Sequence, residues 1–150
     1  WRAKKKGFDS QFIKLSAKLN INTSENIYKK INDKFKNKKK TKLIILGLSY
    51  KKNIEDTRES PAIQILCKLS RFFKVDYSDP YVKKFPRLRR YKLNLKSVKL
   101  TTKNLKKYDA AILITDHDNF NYPLILKYSK IIFDTRNAFN KFNNDKVISI

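Results

Sequence analysis

The spacing of apolar residues changes once along the chain, near residue 41. Before that point it is helical: Phe8, Phe12, Leu15 and Leu19 fall at i, i+4, i+7 and i+11, one face of a helix. Asn22, with Glu25 three positions on, forms a capping-box pattern that predicts a restart of the helix, and Ile27, Ile31 and Phe35 then repeat at four-residue spacing. "KNKKKTK" (36–42) is polar and like-charged, and reads as a solvated connection. The run "KLIILGL" (42–48) that follows is continuously apolar, as in a strand buried on both faces of a parallel sheet.

From there strands and helices alternate. Ser60 as N-cap and Pro61 at the first helical position open a helix over 60–73. "KVDYSDP" (74–80) reads as a strand stopped by Asp79-Pro80, and residues 81–95 as a long irregular connection. Short elements follow: a strand over 97–101, a helix over 102–108, a buried strand over 109–115, a helix over 122–129, a strand over 130–136 and an edge strand over 146–150. Alternation of this kind predicts an α/β fold: a Rossmann-like, doubly wound, mostly parallel sheet of five to six strands, preceded by a helical segment.

Composition narrows the class. At 150 residues and 41% hydrophobic, the chain can bury a real core, and no apolar run approaches the roughly 18 residues of a membrane span. The opening "WRAKKKGFDS" lacks the apolar stretch of a signal peptide, and a lone cysteine, Cys67, excludes an internal disulfide framework; a cytoplasmic location is expected. One Cys and one His argue against a zinc site. The chain starts on Trp and has no Met, so it is expected to be a segment of a longer protein.

The net charge of +23 raises nucleic acid as a partner. Yet the charge is mostly lysine and is spread, +10 over residues 1–40 and +13 over 41–150, without the motifs or stacking aromatics of a nucleic-acid module. A solvated basic surface is the better account, with a free-standing basic nucleic-acid-binding α/β domain as the alternative. The cluster Arg87, Arg89 and Arg90 reads as part of such a solvated loop.

Open α/β sheets bind ligands at the carboxyl ends of their strands. Two such ends carry Lys51, Arg58 and Arg136, and the helix from Pro61 points its N-terminus at the same edge. Cations around a helix N-terminus suit an anionic ligand, and arginine can hold phosphate bidentately.

The strings "GLSYKKNIEDTRESPA", "VDYSDPYV", "YDAAILITDHDNFNY" and "IIFDTRN", in this order and spacing, resemble the C-terminal UDP-binding domain of the UDP-glucose/GDP-mannose dehydrogenase family. "YSDP", Phe85-Pro86 and "TDH" before "FNY" look closest to the branch acting on UDP-N-acetylglucosamine. The resemblance covers about all of 41–150. Residues 1–40 resemble the end of the family's central helical domain and its linker. It implies an NAD-dependent 6-dehydrogenase that oxidises C6 of a UDP-sugar to the uronate with two NAD, for surface polysaccharide biosynthesis. It also implies a homodimer or higher homo-oligomer through the central domain. By the motif match, Tyr50, Lys51 and Arg136 align with substrate-binding residues, and Arg58 with an arginine that reaches NAD. The NAD-binding glycine-rich loop, catalytic lysine and nucleophilic cysteine would lie upstream, so no catalytic residue is expected here and the segment alone should be inactive.

Local readings compete at each position. Arg58 could pair with Glu55 or Glu59, Arg136 with Asp134, and Tyr50 could simply pack. Cys67, inside an apolar helix, reads as core. His117, the one histidine, reads as a residue that positions a loop rather than a base.

Overall fold

The computed structural model describes residues 5–7, 9–38, 40–88 and 93–150. Phe8, Arg89 and Arg90, which figure in the expectations above, lie outside them. A long helix, α1 (Gln11–Phe35), precedes an alternation of strands and helices: β1 (Lys42–Leu46), α2 (Pro61–Leu69), β2 (Lys74–Ser78), α3 (Thr102–Leu105), β3 (Ala110–Leu113), α4 (Tyr122–Tyr128), β4 (Ile132–Asp134) and β5 (Val147–Ser149). The five strands form one sheet, ordered β2-β1-β3-β4-β5. Every pairing is parallel, with Leu43 opposite both Val75 and Ala110.

The apolar run of β1 is buried throughout because both of its faces are covered. Leu43 and Ile45 pack with Ile27, Ile31 and Phe35 of α1 and with Ile65, Leu66 and Leu69 of α2. Ile44 and Leu46 point the other way, to Leu105 of α3, Ile125 of α4 and Phe139. This two-faced burial separates a parallel-sheet strand from an amphipathic one. Ser60 caps α2 as expected, its hydroxyl accepting from the Ala62 N–H at 3.2 Å, with Pro61 in the first turn. Thr101 and Asn121 cap α3 and α4 in the same way.

Two expectations fail. The helix does not restart at Asn22: α1 is continuous and its N-cap is Ser10. Glu25, instead of closing a capping box, pairs with Lys68 of α2. Inter-helix packing has overridden a local signal. The segment 97–101 is not a strand. It makes one backbone bond to the edge strand, from the Val98 N–H to the Tyr77 carbonyl at 2.8 Å. The Ser97 hydroxyl then bonds both the N–H and the carbonyl of Asp79, turning the chain away. The face carrying Phe12, Leu15 and Leu19 is helical as expected, and it is not packed. Phe12 is 78% exposed and Leu15 and Leu19 each 55%, whereas Ile31 is fully buried. The helices and strands over 60–73, 102–108, 109–115 and 130–136 form, but in shorter versions. Among the described residues no helix is long and apolar enough to cross a membrane.

Candidate functional site: a cleft at the carboxyl ends of the strands

The site is built on the end of β1. Gly47 there has φ +81°, and a Cβ on it would stand 2.2 Å from the Thr115 carbonyl oxygen at the end of β3. Only glycine lets β1 and β3 end so close together. The lone glycine of the loop is therefore a packing requirement between strands. β1 and β3 are also where the strand order reverses, the switch point at which open sheets form their crevice.

A buried polar web then shapes the loop. Asp79, at the end of β2, is 2% exposed. One carboxylate oxygen accepts from the Leu48 and Ser49 N–H groups at 2.7 and 3.0 Å, the other from Tyr81 and Val82 at 2.8 and 2.9 Å. Burial alone would raise its pKa. The hydrogen bonds from His117 and these backbone groups outweigh it and hold the carboxyl at about 2. His117 is fully buried. Its Nδ1 accepts from the Asn53 N–H at 3.0 Å, which places the ring proton on Nε2. Nε2 lies 3.0 Å from the Ser49 hydroxyl and 3.1 Å from Asp79. Tyr81 and Phe120 flank the ring, with centroids 5.2 and 5.3 Å away.

Above this web opens a cleft of about 640 Å³. Its floor is the strand ends, with Ile114, Thr135 and Ile150, and one wall is the middle of α1, with Asn20, Thr23 and Ile27. Tyr50, Lys51 and Arg136 all line it. Lys51 and Arg136 are exposed, and the Lys51 ammonium sits 5.8 Å from the centre of the Tyr50 ring. The Arg136 guanidinium does not pair with Asp134: its Nε donates to the Ile114 carbonyl at 2.7 Å, while Asp134 accepts the Arg136 and Phe139 backbone N–H groups. One edge of the guanidinium is thus fixed across the end of β3. Pro61, at the start of α2, brings the helix N-terminus to the cleft, and the Glu59 carboxylate stands on the same rim. Two cations and a positive helix end around one opening suit an anion.

Arg58 is not part of this group. Its side chain is 87% exposed and its guanidinium grips Asp56 at 2.7 Å, not Glu55 or Glu59. Hydrogen bonds from the Arg58 side chain and N–H bring the Asp56 carboxyl down to about 2. Cys67 is core, its thiol pushed up to about 11 by burial. Arg87 lies away from the cleft, exposed in a separate hollow with Phe85 and Pro86. Sequence reasoning missed Asp79, reading it only as a strand stop. The signal was available: a carboxylate directly after a strand, in reach of the N–H groups of the neighbouring strand's loop.

Comparison with known proteins places the chain in a family. It is 37% identical over 108 residues to a UDP-N-acetyl-D-mannosamine dehydrogenase of Methanococcus aeolicus, covering 66% of this chain and 23% of that one. To the protein of the same name from Methanocaldococcus jannaschii it is 30% identical over 150 residues, covering 94% of this chain and 33% of the relative. The chain therefore spans about a quarter to a third of the length of these relatives. The structure of a UDP-D-ManNAc dehydrogenase from Pyrococcus horikoshii superposes with a TM-score of 0.56 at 27% identity, over 77% of this chain and 26% of that one. A GDP-mannose dehydrogenase from Pseudomonas aeruginosa, at 16% identity, shares the fold with a TM-score of 0.70 over 99% of this chain and 36% of that one. The Methanococcus and Methanocaldococcus relatives and the Pyrococcus structure carry N-acetylmannosamine in their names rather than the N-acetylglucosamine suggested by "YSDP" and "TDH". Residues 44–141 match the model of the UDP-glucose/GDP-mannose dehydrogenase family, UDP binding domain, and the chain belongs to that family.

Proposed function

We propose that this chain is the UDP-sugar-binding part of an NAD-dependent nucleotide-sugar 6-dehydrogenase. The observation that carries the reading is the convergence of Tyr50, Lys51 and Arg136 on one cleft beside the start of α2. In this reading Lys51 and Arg136 hold the diphosphate through charge-assisted hydrogen bonds. Tyr50 packs beside the ligand and keeps the Lys51 ammonium over its own ring. The sugar is a UDP-N-acetylhexosamine. The names of the relatives favour N-acetylmannosamine over N-acetylglucosamine.

NAD would accept the hydrides lost from C6. The loop after β1 has a single glycine, taken up by strand packing, so this chain has no dinucleotide loop of its own. Arg58, exposed and held by Asp56 outside the cleft, is the residue proposed to reach NAD across the assembled enzyme. Residues 1–40 would end a central helical domain through which the protein forms a homodimer or larger homo-oligomer. The exposed apolar side chains on the first half of α1 support that role.

Calorimetric titration of the chain with UDP tests the reading. Saturable binding that Arg136→Ala weakens by about 2–4 kcal/mol is expected, as is a similar loss in Lys51→Ala. Binding to any duplex with steep salt dependence, and no response to UDP, would instead establish a basic nucleic-acid-binding domain.

A further inference from the structure

The two proposed ligand residues of the loop after β1, Tyr50 and Lys51, are both exposed. What holds them lies beneath. The Ser49 hydroxyl donates to the Lys51 carbonyl at 3.0 Å, and its oxygen faces His117 Nε2 at 3.0 Å. His117 Nδ1 takes the Asn53 N–H at 3.0 Å. One buried ring from the loop after β3 thus holds the segment 49–53 at both ends, and the Ser49 hydroxyl it contacts holds the middle through the Lys51 carbonyl. On the outer side Asp118 completes the grip, accepting from the Asn53 side-chain amide at 2.6 Å and pairing with Lys52 at 2.6 Å. The Asn53 backbone sits at φ +61°, a conformation that needs such support.

The geometry points to His117 as a positioning residue. Through Ser49 and the Asn53 N–H it sets where Lys51 meets the phosphates, and it touches no ligand itself. This rests on the UDP-binding reading of the cleft. A pre-set loop binds better because the cost of ordering it is met on folding rather than on binding.

The test uses the full 150-residue chain and UDP. Ser49→Ala removes only the hydroxyl between His117 and the Lys51 carbonyl. His117→Gln can keep an amide N–H toward Asp79 but has no atom in the place of the ring Nδ1 that accepts from the Asn53 N–H. Both are measured for UDP affinity, melting temperature and amide exchange at residues 50–53. The expected result for Ser49→Ala is UDP binding weakened about tenfold, melting within about 3 °C of the parent, and faster exchange across the loop. His117→Gln should lose affinity too. The double variant should lose less than the sum of the two, because both act on one loop. If the parent binds UDP and Ser49→Ala binds it equally well, the positioning role is overturned while the cleft reading stands. If the parent does not bind UDP, the cleft reading fails and this role fails with it. Should His117→Gln not fold, Ser49→Ala decides alone.

Discussion

At the scale of single residues, Asp79 and Gly47 set the loop, and each makes a sharp prediction. Folding lowers the Asp79 pKa from 3.8 to about 2, so folding favours its charged form. Its contribution, about 2 kcal/mol, is then complete above pH ~4 and is lost as the pH falls toward 2. Denaturant unfolding between pH 5 and 2 should show a decline in stability that is shallower in Asp79→Asn. At neutral pH that variant should itself be about 3 kcal/mol less stable, since an amide NH₂ would face N–H donors that the carboxylate now accepts. An unchanged pH slope in Asp79→Asn would refute the assignment. Gly47→Ala should cost about 3 kcal/mol or more, combining left-handed backbone strain with the overlap on Thr115. Thermal unfolding checks it, and a variant as stable as the parent would mean the strand ends can separate freely.

At the scale of elements, α1 is one helix with two environments. Its second half is core: Ile27, Ile31 and Phe35 sit in the same cluster as β1 and α2, and Glu25 pairs with Lys68. Its first half presents Phe12, Ile13, Leu15, Leu19 and Ile21 to the outside. Ile31→Ala should therefore destabilise the chain by about 2–5 kcal/mol. Leu15→Ser, on the exposed first half of the helix and roughly 160° round its axis from Ile31, should stay within about 0.5 kcal/mol of the parent. Urea midpoints of the two variants measure this, and a large loss in Leu15→Ser would mean that the first half is packed after all. Periodicity could find the helix because 3.6-residue spacing is local. It could not say which face packs: within one continuous helix Phe12, Leu15 and Leu19 stand on a different face from Ile27, Ile31 and Phe35, and only contact with β1 and α2 decides which is covered.

At the scale of the whole molecule, the cleft joins residues from the ends of β1 and β4, the start of α2 and the wall of α1, drawn from positions 17 to 150. Arg58 stands apart from it, and its proposed role toward NAD is tested separately. In the full-length enzyme Arg58→Ala should raise KM for NAD, and in this chain it should leave UDP affinity unchanged. A selective loss of UDP affinity in the variant would move Arg58 to the substrate side.

Much of this was legible in the sequence. Alternating strands and helices, the buried β1 run, the Ser60-Pro61 start of α2, and the candidate residues Tyr50, Lys51 and Arg136 follow from periodicity, turn chemistry and the family resemblance. They are local signals, written in consecutive residues. The strand at 97–101, the break at Asn22 and the neglect of Asp79 show where local signals stop. Ser97 and Val98 had a strand's spacing but met only one ladder bond at an edge and a side-chain bond that turned them off it. Glu25 had a cap's spacing but a better partner on α2. By itself the sequence determined the order and kind of the elements and the charges available at the strand ends. Only the tertiary structure decided which of those charges converge. It also tied the loop after β1 to Asp79 and His117, 30 and 68 positions away from Ser49 in the chain. Contacts across such separations depend on sheet order and register, and no short stretch of residues encodes either.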